Sequence, residues 1–271
     1  MKIVIIDKPY LERLCKIQNF FGPADAVTAK MLEGAEFLGK EFYLYSKIYE
    51  QMNLEINRLG KNNFWKSFSD GKNIDPKLLS LLKKLSYRSS NRTTSIREIS
   101  RQIQNNLPKF EKNIKKELQT NFGFTLPTKI GIILGNTTSI SHSSASALSY
   151  EPILIYLEIP SYKTKAVGVI LHELLHTLID QNKSLPADSN TFEEALLDYF
   201  VPNGIMAQKL GIVPKMKLNE LFEKNIKDRP YSLAASKKLL KIIKKYNNTS
   251  HRGTIWSFLK LHDSLPKKTK Q

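Results

Sequence analysis

The stretch TKAVGVILHELLHTLIDQ, residues 164–181, constrains this chain more than any other. Val167, Val169, Ile170, Leu171, Leu174, Leu175, Leu178 and Ile179 recur densely enough to predict a helix buried around most of its circumference. Such a helix needs the rest of the chain packed around it, because its apolar surface cannot face water on its own. Its middle nevertheless carries His172, Glu173 and His176. Unpaired histidine and glutamate are costly in apolar surroundings, so these three polar groups need partners.

On a helix, residues four apart lie on one face a turn apart. His172 and His176 can therefore offer two imidazoles to one metal ion, with Glu173 beside them. Zinc lowers the pKa of a water it binds from about 15.7 to about 7. A carboxylate within hydrogen-bond reach can then take that water's proton without ligating the metal. Two histidines do not complete a catalytic zinc site, which uses three protein ligands and a water. The segment TFEEALLDYF (191–200) offers the third. Glu194 and Asp198 share a helical face, so one can ligate while the other orients a ligand histidine from behind. Glu193 competes for the ligand role, but its own partner four residues on is Leu197, which favours Glu194. Seventeen residues separate His176 from Glu194, enough to bring a second helix back across the first.

The rest of the chain changes character near residue 125. Residues 1–7 read as a short strand, and 24–60 have helical spacing through Leu32, Phe37, Leu38, Phe42, Tyr45 and Ile48. Gly71 and Pro76 break that pattern before a short helix through Leu82, and 88–95 read as a polar loop. A charged amphipathic helix is predicted over 95–121, ending near Gly123. KIGIILG (129–135) and EPILIYLEIP (151–160) are β-branched runs that predict strands, with a polar loop and an edge strand near 145–150 between them. Beyond Pro186, helices are predicted near 191–201, 203–210, 216–226, 231–246 and 253–262, and the tail 266–271 is expected to be disordered. The expected class is α+β and mainly helical. A helical N-terminal region (1–125) precedes a region over 126–265 that holds a small sheet and the HELLH helix to about 190, with helices after it.

Composition narrows the setting. With 41% hydrophobic and 10% aromatic residues, the chain can bury a real core. Its single cysteine, Cys15, excludes an intrachain disulfide and any site needing two thiolates, and is read as a buried structural thiol. The apolar run Ile3–Ile6 is too short for a secretory signal, and charge interrupts every longer apolar stretch. A soluble, cytoplasmic protein with no membrane partner is expected. The net charge of +17, from 42 Lys and Arg against 25 Asp and Glu, raises nucleic acid as a partner. The surplus is mostly Lys, which lacks the bidentate geometry of Arg, so nucleic acid is a possible partner but not the favoured one.

HELLH followed by EALLD resembles the gluzincin metallopeptidases, the thermolysin-like clan, over about residues 145–200. The resemblance implies a zincin-like catalytic unit that hydrolyses peptide bonds with Zn2+ held by His172, His176 and Glu194. It implies Glu173 as general base and acid, and Asp198 as the support of His172. The metzincin pattern does not fit, because Asn182 stands where its third histidine would be. Asp180, only four residues beyond His176 on the same helix, is awkwardly placed to ligate. Gluzincins usually supply a donor for the developing oxyanion from downstream. His251 is the first choice here, with Tyr246, Tyr231 and Tyr199 as alternatives, while His142 reads as a loop residue. An extended substrate is expected to pair with the edge strand near 145–150.

Overall fold

Strand β1 (Lys2–Ile6) finds its partner far along the chain, parallel to β2 (Lys129–Asn136), with Lys2 opposite Lys129 and Ile6 opposite Ile133. The computed structural model describes residues 1–6, 9–21, 40–85, 93–136, 145–159, 166–182, 190–228, 232–249 and 253–261. Strand β2 also pairs in parallel with β4 (Ile153–Ile159), and β3 (Ala145–Tyr150) runs antiparallel to β4, giving the order β1-β2-β4-β3. The β-branched Ile130, Ile132, Ile133 and Ile155 are fully buried, which is why these runs form strands and not solvent-facing loops. The protein is thus mainly helical with a small mixed sheet, in keeping with an α+β class.

This pairing moves the domain boundary. The chain forms two compact units interleaved along the sequence, one of residues 2–104 and 129–163, the other of Met1, 105–128 and 164–271. The sequence reading divides the chain near residue 125 instead. Parallel pairing of β1 with β2 draws the strands after 128 into the unit of the N-terminal helices, and the HELLH helix folds with the helices that follow it.

In the sheet-bearing unit, α1 (Pro9–Phe21), α2 (Lys40–Leu59), α3 (Lys61–Asp70) and α4 (Pro76–Lys84) share one core with the strands. Leu14, Ile17, Met52, Trp65, Leu78 and Tyr156 are completely buried in it. The sequence reading finds helical spacing over 24–60. The described part of that span is α2, which ends where Gly60 adopts φ 79°, a backbone conformation that costs glycine little. Helix α3 then starts afresh, and Asp75 caps α4 by accepting from the Leu78 N–H at 2.7 Å. Cys15 is free and buried, as expected; burial, with Glu12 and Glu158 nearby, pushes its thiol well up. Strand β3 is an edge strand, also as expected. Its backbone is already engaged by α3: Lys61 Nζ donates to the Ala147 carbonyl at 3.4 Å, and the Tyr150 N–H donates to Asn62 Oδ1 at 3.2 Å.

Helix α5 (Thr93–Phe122) supplies residues to both units, the helical one from residue 105 onward. The helical unit continues with α6 (Ala166–Gln181), α7 (Asn190–Phe200), α8 (Ile205–Lys209), α9 (Leu218–Asp228), α10 (Leu233–Asn248) and α11 (Ile255–Leu261), close to the predicted pieces. Aromatic contacts hold its core: the Phe122 ring lies 4.6 Å from that of Phe200 and 6.1 Å from that of Trp256. No helix among the described residues is long and apolar enough to cross a membrane.

The turn after α7 is exceptionally tight at Gly204. A Cβ there would lie 2.1 Å from the Tyr199 carbonyl oxygen and 2.3 Å from its carbon, both backbone atoms that cannot swing aside. Gly204→Ala is expected to destabilise the helical unit by about 3 kcal/mol, at the upper end of the usual cost of overpacking. Chemical denaturation of the variant beside the native chain measures this; an unchanged midpoint would show that the turn opens freely.

Candidate metal centre

Helix α6 is buried almost throughout, as its sequence requires: Ile170, Leu171, Leu174, Leu175, Leu178 and Ile179 are each at most 4% exposed. His172 and Glu173 are buried with them, while His176 is partly open. Helix α7 is amphipathic: Phe192, Ala195, Leu196, Leu197 and Phe200 are buried, and Glu193 and Glu194 remain partly accessible. The two helices lie alongside each other with opposite directions where they meet, since His176 faces Glu193 and Glu194 while His172 faces Glu194, Asp198 and Val201.

Glu194 stands between the two imidazoles. Its Oε1 is 3.2 Å from His176 Nε2, and its Oε2 is 3.3 Å from His172 Nε2. One ligand atom from each of the three residues lies within 4.8 Å of the others. An ion bound tetrahedrally at about 2.0–2.1 Å places its ligand atoms about 3.3–3.4 Å apart, the edge of that tetrahedron. A charge-assisted hydrogen bond between imidazolium and carboxylate would be shorter, about 2.7–2.9 Å. The two observed separations, each to a different oxygen of Glu194, lie close to that edge, and the one to His176 also serves as a hydrogen bond. His172, His176 and Glu194 can hold a metal ion.

The outer ring nitrogens are also engaged. His176 Nδ1 is 2.6 Å from Glu193 Oε1, a short hydrogen bond. His172 Nδ1 is 3.3 Å from the Val201 carbonyl oxygen and 3.8 Å from Asp198 Oδ1. The Val201 carbonyl is thus the nearer acceptor, and the Asp198 carboxylate, the support that the gluzincin resemblance implies for His172, stands farther off. Val201 follows the last turn of α7, where helix carbonyls lack intrahelical partners and are free to accept from a side chain. In the absence of an ion, burial works against a charge on His176, but its hydrogen bonds to Glu193 and Glu194 and the charge of Glu173 prevail. They push its pKa up to about 10. Loading the site therefore displaces a proton. Glu173 follows His172 on α6, is 8% exposed, and lies near enough for its charge to bear on His176.

The sequence reading assigns the three ligand positions and Glu173 to this cluster; the structure brings the three together in the helical unit, with Glu173 near enough for its charge to bear on His176. It misses the Val201 carbonyl and the contact of Glu193, which the four-residue pattern pairs with Leu197. Consecutive helical residues differ by about 100° in direction, so Glu193 and Glu194 can straddle a neighbouring helix and reach opposite sides of one imidazole. That is the signal available in the doubled glutamate. Among the oxyanion candidates, His251 and Tyr231 lie outside the described residues, as does His142. Tyr199 is buried against Phe200 and Phe222, and burial pushes its hydroxyl up to about 12. The Tyr246 hydroxyl donates to the Gly253 carbonyl at 3.0 Å. Comparison with family models, with curated proteins and with solved structures finds nothing that matches this chain.

Proposed function

We propose that this chain is a zinc-dependent peptidase of the gluzincin kind, its helical unit forming the core of a zincin-like catalytic unit. The observation that carries the proposal is Glu194 facing His172 Nε2 and His176 Nε2 with one carboxylate oxygen each, at 3.3 and 3.2 Å. Two imidazoles and one carboxylate suit zinc, and three protein ligands leave a fourth position for chemistry. Bound there, zinc supplies a water acidified to a pKa of about 7 and polarises the substrate carbonyl. Glu173 accepts the proton of the attacking water and returns it to the departing amine. Its low exposure keeps that proton from bulk water between the two steps. His172 and His176 stay fixed meanwhile, held through their outer nitrogens by the Val201 carbonyl and Glu193. Metal analysis of the purified protein, with digestion of a peptide library beside a Glu173→Gln variant, tests the proposal. About one zinc per chain and cleavage that depends on Glu173 are expected, and a chain that takes up no zinc would end it.

A second reading, electrostatic attachment to nucleic acid, rests on α10. Lys237, Lys238, Lys241, Lys244 and Lys245 are all exposed on this one helix, which contains no acidic residue. On this reading, affinity for a DNA duplex is submicromolar at physiological salt and falls steeply as salt rises. Replacing all five lysines with Gln flattens the slope of log affinity against log salt by up to about 4–5, if each lysine neutralises one phosphate. Fluorescence anisotropy over a salt series measures both, and weak or salt-insensitive binding by the native chain removes the reading.

A further inference from the structure

We infer that Glu193 is a positioning residue for the metal centre: its hydrogen bond to His176 Nδ1 sets the ring's orientation and so how tightly the site holds its ion. The inference rests on the metal-site reading above and deepens it. An imidazole on a helix can turn about its terminal side-chain torsion and present either nitrogen to a neighbour. At His176 the choice is made by α7 from both sides. Glu193 Oε1 lies 2.6 Å from Nδ1, and Glu194 Oε1 lies 3.2 Å from Nε2. With Nδ1–H donating to Glu193, the lone pair of the neutral ring sits on Nε2, the nitrogen that faces Glu194.

The two histidines are not held equally. The outer nitrogen of His172 meets a neutral carbonyl at 3.3 Å, whereas that of His176 meets a carboxylate at 2.6 Å with its side chain only 13% exposed. A bond of that length to a charged acceptor is among the stronger kinds, and a carboxylate behind a ligand imidazole raises the basicity of the nitrogen in front. His176 is also the more accessible of the two rings, at 20% against 5% side-chain exposure, so neighbouring side chains restrict it less. The anchor therefore matters more at His176 than at His172, and Glu193 outranks Asp198 as a support.

The test is zinc affinity, measured by competition with a chromophoric chelator on the full chain. Glu193→Ala is expected to weaken zinc binding about 10–100-fold, the usual loss when such a partner is removed. Glu193→Gln keeps an acceptor oxygen at the same reach without the charge, so its affinity should fall between those of native and Ala. Asp198→Ala should cost less than Glu193→Ala. The visible spectrum of the cobalt-loaded protein should shift in both Glu193 variants, since it reports the ligand field and not fold stability. Circular dichroism of the metal-free proteins confirms that the variants are folded, and the Gln variant serves if the Ala variant is not. Native zinc affinity and an unaltered cobalt spectrum in the folded variants would overturn the inference and leave the metal site standing. A native chain that binds no zinc would overturn both.

Discussion

If the chain is the zinc peptidase proposed above, Glu173→Gln should keep its zinc and lose peptide hydrolysis by about 10²–10⁴-fold in kcat, the range that a positioned general base contributes. The substitution preserves the length and shape of the side chain on the buried face of α6 and removes its charge and its capacity to accept a proton. The ligand trio of His172, His176 and Glu194 is untouched, so metal content isolates chemistry from binding. One adjustment is expected nearby. The charge of Glu173 helps to keep His176 protonated when no ion is present, so its loss should slightly ease the proton release that accompanies loading. The experiment pairs zinc per chain with kcat on a peptide selected from the library digest. Turnover at the native rate by a zinc-replete Glu173→Gln protein would exclude this mechanism.

Glu194→Ala should abolish stoichiometric zinc binding, and activity with it. Glu194 is the group that both Nε2 atoms face, and its removal leaves two protein ligands where a catalytic site uses three. Glu193 is a poor substitute, because its carboxylate is committed to the far side of the His176 ring. The fold should survive: the Glu194 side chain is 27% exposed, and alanine is the residue best suited to a helix interior. Far-UV circular dichroism should therefore be native-like while zinc falls from about one per chain to near zero after dialysis against a mild chelator. A variant that holds zinc as tightly as the native chain would mean that another carboxylate completes the site. The contrast with Glu193→Ala is informative, since a lost ligand removes binding and a lost anchor only weakens it.

The site was more legible in the sequence than the fold that carries it. HELLH on a strongly apolar run places its two histidines on one face of a buried helix by period alone, and EALLD adds a carboxylate at helical spacing. Most helices of the helical unit were legible for the same reason. Helix α3 was not, because Phe64, Trp65 and Phe68 follow directly on α2 and only the backbone of Gly60 separates the two. Helix α1 carries readable start signals in Pro9 and Glu12 and a buried face in Leu11, Leu14 and Cys15, although the sequence reading leaves it unassigned.

What the sequence by itself determined is local: which residues repeat at helical or strand period, and hence that His172, Glu173 and His176 share one buried helix. Tertiary structure decided everything that depends on which elements become neighbours. Parallel pairing of Lys2–Ile6 with residues 129–133 assigned the sheet to the N-terminal helices, because backbone hydrogen bonds between distant strands leave no mark in either segment alone. The line along which α7 approaches α6 assigned Glu194 to the inner nitrogens and Glu193 to an outer one. Adjacent helical residues point about 100° apart, and only the neighbour's position selects between them. The end of α7 likewise brought the Val201 carbonyl to His172, a role no side-chain pattern could announce because the acceptor is main chain.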